Sequence, residues 1–129
     1  LMKKLLMKKL LIILIFFVST SVFSFEKTTN FTFDKFQSAQ KNDKTIVVNA
    51  WNKSCTVCAS QSKIFAEAIN DFKDVEFLFY EQTKHKNIAK ELNIKFWTTI
   101  VVYKGDKEIT REIGLNKKED IYKLIKKGI

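Results

Sequence analysis

The sequence predicts one α/β domain: a mixed central sheet of four to five strands with helices on both faces. Three observations predict it. Short β-branched or apolar runs alternate with stretches whose apolar residues recur every three to four positions. The first half of the chain reads β-α-β-α and the second reads β-β-α, so one strand pair is parallel across a helical crossover and another is an antiparallel hairpin. Residues 25–129 suffice for one core and leave no room for a second domain.

Each element has its own signal. Phe31 to Gln40 places Phe33 and Phe36 at helical spacing and ends in the turn-forming Lys41-Asn42-Asp43, which predicts a short helix. Thr45 to Ala50 is a compact β-branched run of the kind buried inside a sheet, and it leads directly into Trp51 and a cysteine pair. From Cys55 to Phe72, the residues Cys58, Ser62, Phe65, Ile69 and Phe72 predict the inner face of a helix of about five turns. Val75 to Tyr80 reads as the second strand, and Asn87 to Leu92 as a short helix. Thr99 to Tyr103 and Glu108 to Ile113 flank Lys104-Gly105-Asp106-Lys107 as a hairpin. Gly114 ends it, and Asn116 is the expected cap of a last helix with Ile121, Leu124 and Ile125 inward.

The first 24 residues read as a targeting segment. Lys3 to Lys9 form a basic start, and Leu10 to Val18 are nine uninterrupted apolar residues. That run is short for a bilayer span, which takes about 20 residues, and suits the core of a signal peptide. Val22 and Ser24 stand where a cleavage site wants small residues, which places the mature start near Phe25 and the protein outside the cytoplasm, in a periplasm-like space. Retention as an N-terminal anchor is the alternative; in either case the membrane is met only through this segment.

The net charge of +9 shrinks once that segment is set aside, because four of the 23 basic residues precede the first acidic one, Glu26. The surplus then spreads along the chain as a solvated basic face. Arg111 is the one guanidinium, which gives nucleic-acid recognition little to work with. Gly105, Gly114 and Gly128 form no phosphate-cradling loop, so a nucleotide or phosphate enzyme has no support.

The chemistry rests on two cysteines, Cys55 and Cys58. A disulfide across so short a spacing closes a tiny loop and contributes little stability, so reactivity is the better reason for the pair. Cys55 falls where a strand meets a helix and Cys58 one turn further on the same face. Unpaired N–H groups and the positive end of the helix dipole favour a thiolate at Cys55. Cys55 is then the nucleophile that forms a mixed disulfide with a substrate, and Cys58 resolves it. Lys53, two residues earlier, is a candidate to support the thiolate.

The segment Ala50-Trp51-Asn52-Lys53-Ser54-Cys55-Thr56-Val57-Cys58, following a Val-Val strand, resembles the active-site segment of the thioredoxin family. The resemblance extends over about residues 31 to 127 in the order of elements. It implies a thioredoxin-like fold, an exposed attacking thiol at Cys55, a buried resolving thiol at Cys58, Trp51 packed beside them, protein disulfides or dithiols as substrates, and no cofactor. The chain also departs from the family. Thr56-Val57 replaces Gly-Pro, Ser54 replaces an aromatic, and Asn49 stands at the position of a buried acid. Thr98 occupies the position of a cis-proline in a chain without proline. By resemblance, the backbone of Trp97 and Thr98 faces the cysteines and pairs with a substrate strand, and Thr98→Pro is expected to leave the fold intact while altering redox behaviour. The resemblance to short exported thioredoxins favours a reductant, fed by a membrane electron-donor protein.

Two rival readings stay open at this level. The cysteines form half of a tetrahedral zinc site if a dimer shares two pairs, although the single histidine, His85, sits between lysines. Alternatively the domain is a thioredoxin-like binding or chaperone module with little turnover.

Overall fold

The computed structural model describes residues 29–129; the expected signal or anchor segment lies outside the described residues. Its elements are α1 (Phe33–Lys41), β1 (Thr45–Trp51), α2 (Thr56–Asp71), β2 (Glu76–Glu81), α3 (Lys86–Glu91), β3 (Thr99–Lys104), β4 (Lys107–Ile113) and α4 (Lys118–Lys126). The four strands form one mixed sheet in the order β2-β1-β3-β4. β1 is parallel to β2, and β3 is antiparallel to both β1 and β4. The expected α/β sandwich is therefore present. No helix among the described residues is long and apolar enough to cross a membrane.

Side-chain alternation sorts the core into two layers. Ile46, Val48 and Ala50 of β1 face α1 and α3, together with Leu78, Tyr80, Val101 and Tyr103. Val47 and Trp51 face α2 and α4, together with Phe77, Phe79, Ile100 and Val102. Every residue of β1 is buried, Thr45 and Asn49 included, as befits a central strand covered on both faces.

Two helical expectations are corrected. α4 begins one residue later than a cap at Asn116 would require: its N-cap is Lys117, with no side-chain cap bond, and Glu119 and Asp120 in the first turn offset the helix dipole instead. The inner face of α2 is Cys58, Gln61, Phe65 and Ala68, while Ile69 is 37% exposed. Both stripes pass through Cys58, Phe65 and Phe72 and differ only in where a three-residue step falls. Tertiary partners for the Gln61 amide decide between them, as described below.

The outer edge of β2 is filled by the chain entering α1. Asn30 N–H and Phe31 N–H both donate to Phe79 O, at 3.0 and 3.1 Å. The Asn30 side chain donates to Phe77 O at 3.0 Å and accepts from Phe79 N–H at 2.6 Å, and Glu81 N–H donates to Thr29 Oγ1 at 3.2 Å.

Candidate redox site

β1 delivers Trp51 to the carboxyl end of the sheet, and the chain then turns within four residues into α2. The turn is fixed locally. Asn52 Oδ1 accepts from Ser54 N–H at 3.0 Å, the short-range turn that Asn side chains favour, and Asn52 Nδ2 donates to Thr83 Oγ1 at 3.2 Å. Cys55 is the N-cap of α2 in extended conformation, and its Sγ accepts from Cys58 N–H at 3.1 Å. A sulfur thus takes the place of the usual capping oxygen, which directs an orphan N–H of the helix at the atom that carries charge when reduced.

Cys55 and Cys58 are joined in a disulfide, with Cα atoms 5.2 Å apart. Cys58 is buried at 1% exposure while Cys55 is half-buried. The two sulfurs therefore differ in access, the outer one being Cys55. Trp51 packs beside them at 6% exposure, and its Nε1–H has no partner among the described residues. Lys53 is exposed and makes no ion pair among the described residues.

Behind Cys58 the family's buried acid is replaced by a network of amides. Asn49, 3% exposed, donates through Nδ2 to Gln61 Oε1 and to Thr99 O, both at 3.1 Å. Gln61, fully buried, donates through Nε2 to Thr98 O at 3.1 Å and to Leu115 O at 2.8 Å. All four amide protons are spent, which is what makes two buried carboxamides tolerable. Neither group titrates, so the network holds no base for Cys58. Glu81 is the one buried carboxylate among the described residues. It ends β2 in register with Trp51 and pairs with Lys84 at 3.4 Å. Burial raises the phenol pKa values of Tyr80 and Tyr103, which face the α1/α3 layer on the other side of the sheet, Tyr103 being pushed up to about 12 by desolvation reinforced by its neighbour Glu108; Tyr122, on the α2/α4 side, is raised by desolvation and by its bond to Asp71.

The facing loop brings Thr98 against β1. No cis peptide occurs among the described residues, so the Trp97–Thr98 bond is trans, and Thr98 has φ +70°. A β-branched residue there is a genuine outlier and costs roughly 1–2 kcal/mol. The loop holds it by spending both backbone groups of Thr98: its N–H donates to Ala50 O at 2.8 Å, and its carbonyl accepts from Gln61 and from Gly114 N–H at 3.3 Å. Thr98→Pro would remove that N–H and could not keep a positive φ, so the substitution is expected to cost stability and to require the loop to rearrange. Thr98's backbone also has nothing left for a substrate. Trp97 differs: no hydrogen bond among the described residues uses its backbone N–H or carbonyl, and its side chain is 47% exposed beside Phe96 at 60%.

Of the residues the sequence singled out, Trp51 packs with Cys55 and Cys58, Asn49 and the Thr98 carbonyl are tied together through Gln61, and Trp97 precedes Thr98 with its side chain exposed. The sequence reading missed Gln61 and Glu81. A glutamine three residues after Cys58, on the stripe that also holds Phe65, was the available signal for the first. Among the described residues no group of three or more His, Cys, Asp or Glu side chains is arranged to hold a metal.

A C-x-x-C disulfide capping a helix at the carboxyl end of a mixed α/β sheet defines a dithiol–disulfide exchange protein. Comparison with known proteins agrees. The thioredoxin family model matches residues 25–127. Thioredoxin from Mycoplasma genitalium is 34% identical over 87 residues, covering 67% of this chain and 82% of that protein. Thioredoxin H-type from Brassica campestris is 28% identical over 93 residues, 72% of this chain and 76% of that one. Among solved structures, Trxlp from Edwardsiella tarda superposes with a TM-score of 0.71 at 16% identity, covering 74% of this chain and 94% of its own. Thioredoxin NaTrxh from Nicotiana alata gives 0.69 at 24% identity, covering 80% and 89%. The chain belongs to the thioredoxin family and is a thiol-disulfide oxidoreductase. That family acts on protein disulfides generally.

Proposed function

We propose that this protein works outside the cytoplasm as a reductant of protein disulfides, with Cys55 as the attacking thiol and Cys58 as the resolving thiol. One observation carries the assignment of roles: Cys58 N–H points at Cys55 Sγ at 3.1 Å, while Cys58 itself is buried. The amide and the helix dipole lower the thiol pKa of Cys55 alone of the two.

In the reducing direction the Cys55 thiolate attacks one sulfur of a substrate disulfide. A mixed disulfide forms and the other substrate sulfur leaves as thiolate. Cys58 gives up its proton and attacks Cys55 Sγ, which breaks the mixed bond, releases the second substrate thiolate and leaves the Cys55–Cys58 disulfide. Two electrons have passed to the substrate. Resetting the site takes a dithiol donor, and a membrane electron-donor protein fits an exported enzyme. The basic start and nine-residue apolar run before Phe25 support export.

Insulin reduction tests the chemistry: Cys55→Ser should lower the rate by roughly three orders of magnitude, and a wild type no faster than that variant sinks the reading. Direction is tested by equilibrating the pair with glutathione. A potential near about −270 mV, the value typical of thioredoxin, supports a reductant, whereas one near about −120 mV makes the protein an oxidant. Fractionation of cells expressing the full chain tests location, and recovery solely with the cytoplasm refutes export.

A further inference from the structure

We propose that Gln61 is a positioning residue for the exchange reaction, locking the substrate-facing loop to the helix that carries both cysteines. The inference rests on the reading that a substrate strand meets the protein beside Trp97.

Gln61 lies one turn beyond Cys58 and is fully buried. Its two N–H groups reach out of α2 to the carbonyls of Thr98 at 3.1 Å and Leu115 at 2.8 Å, which belong to the two loops on either side of the β3–β4 hairpin. Its carbonyl is held by Asn49 of β1 at 3.1 Å. One side chain thus ties together the helix, the central strand and both loops.

The site needs such a tie because Thr98 is held in the left-handed region, at φ +70°, where a β-branched residue does not rest by itself. Releasing its carbonyl lets φ return to negative values. The peptide before it then turns, and with it the Trp97 backbone, whose N–H and carbonyl are unspent among the described residues. Helix and loop must keep their relative position for the incoming disulfide to line up with Cys55 Sγ, since misplacement of about 1 Å suffices to slow a reaction markedly.

Gln61→Leu and Gln61→Glu test this against the wild type in insulin reduction, with the Cys55→Ser background subtracted. For Gln61→Leu we expect KM to rise about tenfold with a much smaller change in kcat. A folded variant with unchanged KM, or with KM and kcat altered in proportion to lost stability alone, overturns the proposal. Gln61→Glu keeps the shape and can donate only when protonated. Its KM relative to wild type, measured pH by pH, should be lowest at acid pH, where one of the two bonds can re-form, and rise as the carboxyl ionises. A flat ratio overturns the proposal even if Gln61→Leu does not fold. Failure of the underlying reading is seen separately, as a wild type no faster than Cys55→Ser.

Discussion

The two loops that meet at the redox end are built in opposite ways. The loop Asn52–Cys55 is organised chiefly by bonds two or three residues long, Ser54 N–H donating to Asn52 Oδ1 and Cys58 N–H to Cys55 Sγ, with one longer tie from Asn52 Nδ2 to Thr83 Oγ1. The loop Ile94–Thr98 is held from afar, by Ala50, Gln61 and Gly114. The first is a mostly local turn that presents a sulfur. The second is an assembled surface whose shape exists only once the sheet, α2 and the hairpin are packed. The disulfide therefore sits on the more locally built loop, and the loop facing it is the one whose shape distant substitutions can retune.

Substitutions at these loops should break that contrast in a graded order. Thr98→Pro carries the largest expected effect, because it removes the bond to Ala50 and cannot keep φ at +70°; a loss of about 3 kcal/mol is expected, read as a lower urea midpoint at unchanged slope. Wild-type stability for that variant would show that the loop is not held as described. Thr98→Gly should act in the other direction. Relief of the left-handed cost gives about 1 kcal/mol, partly offset by the added freedom of glycine when unfolded, so a small rise in midpoint is expected and a fall counts against strain at this residue. Asn52→Ala should matter least for stability, by about 0.5 kcal/mol, since a partly exposed local bond is exchanged for water. Amide exchange at Thr98 should be unaffected by that change. If it accelerates, the two loops are not independent.

The same contrast explains what could be read from the sequence. The order of elements, the parallel and antiparallel pairs and the cysteine-bearing helix start all rest on local periodicity or on a short motif, and all were legible. The conformation of Thr98 was not. A threonine in a loop carries no sign of positive φ, and the alignment with a proline position suggested the opposite local geometry. Gln61 was hidden for a related reason: on a helical wheel its stripe and the Ser62–Ile69 stripe are nearly equivalent. Only the carbonyls of Thr98 and Leu115, far away in sequence, make the polar one the buried one. The cap of α4 failed for want of a competing local rule, since Asn116 is a good capping residue that the hairpin's exit leaves one position too early.

The closed edge of β2 has a consequence for how this molecule lives among other extended chains. Thr29 and Asn30 spend the outward hydrogen bonds of β2 on their own side chains and backbone, so no foreign strand can zip onto that side. The opposite margin, β4, carries Lys107, Glu108, Arg111 and Glu112, a row of charge that discourages uninvited pairing. Strand addition is thereby blocked at β2 and only discouraged at β4, where Ile109 and Ile113 are exposed between the charges. Trp97 lies outside both flanks, in the loop before β3, with a peptide group that makes no hydrogen bond among the described residues.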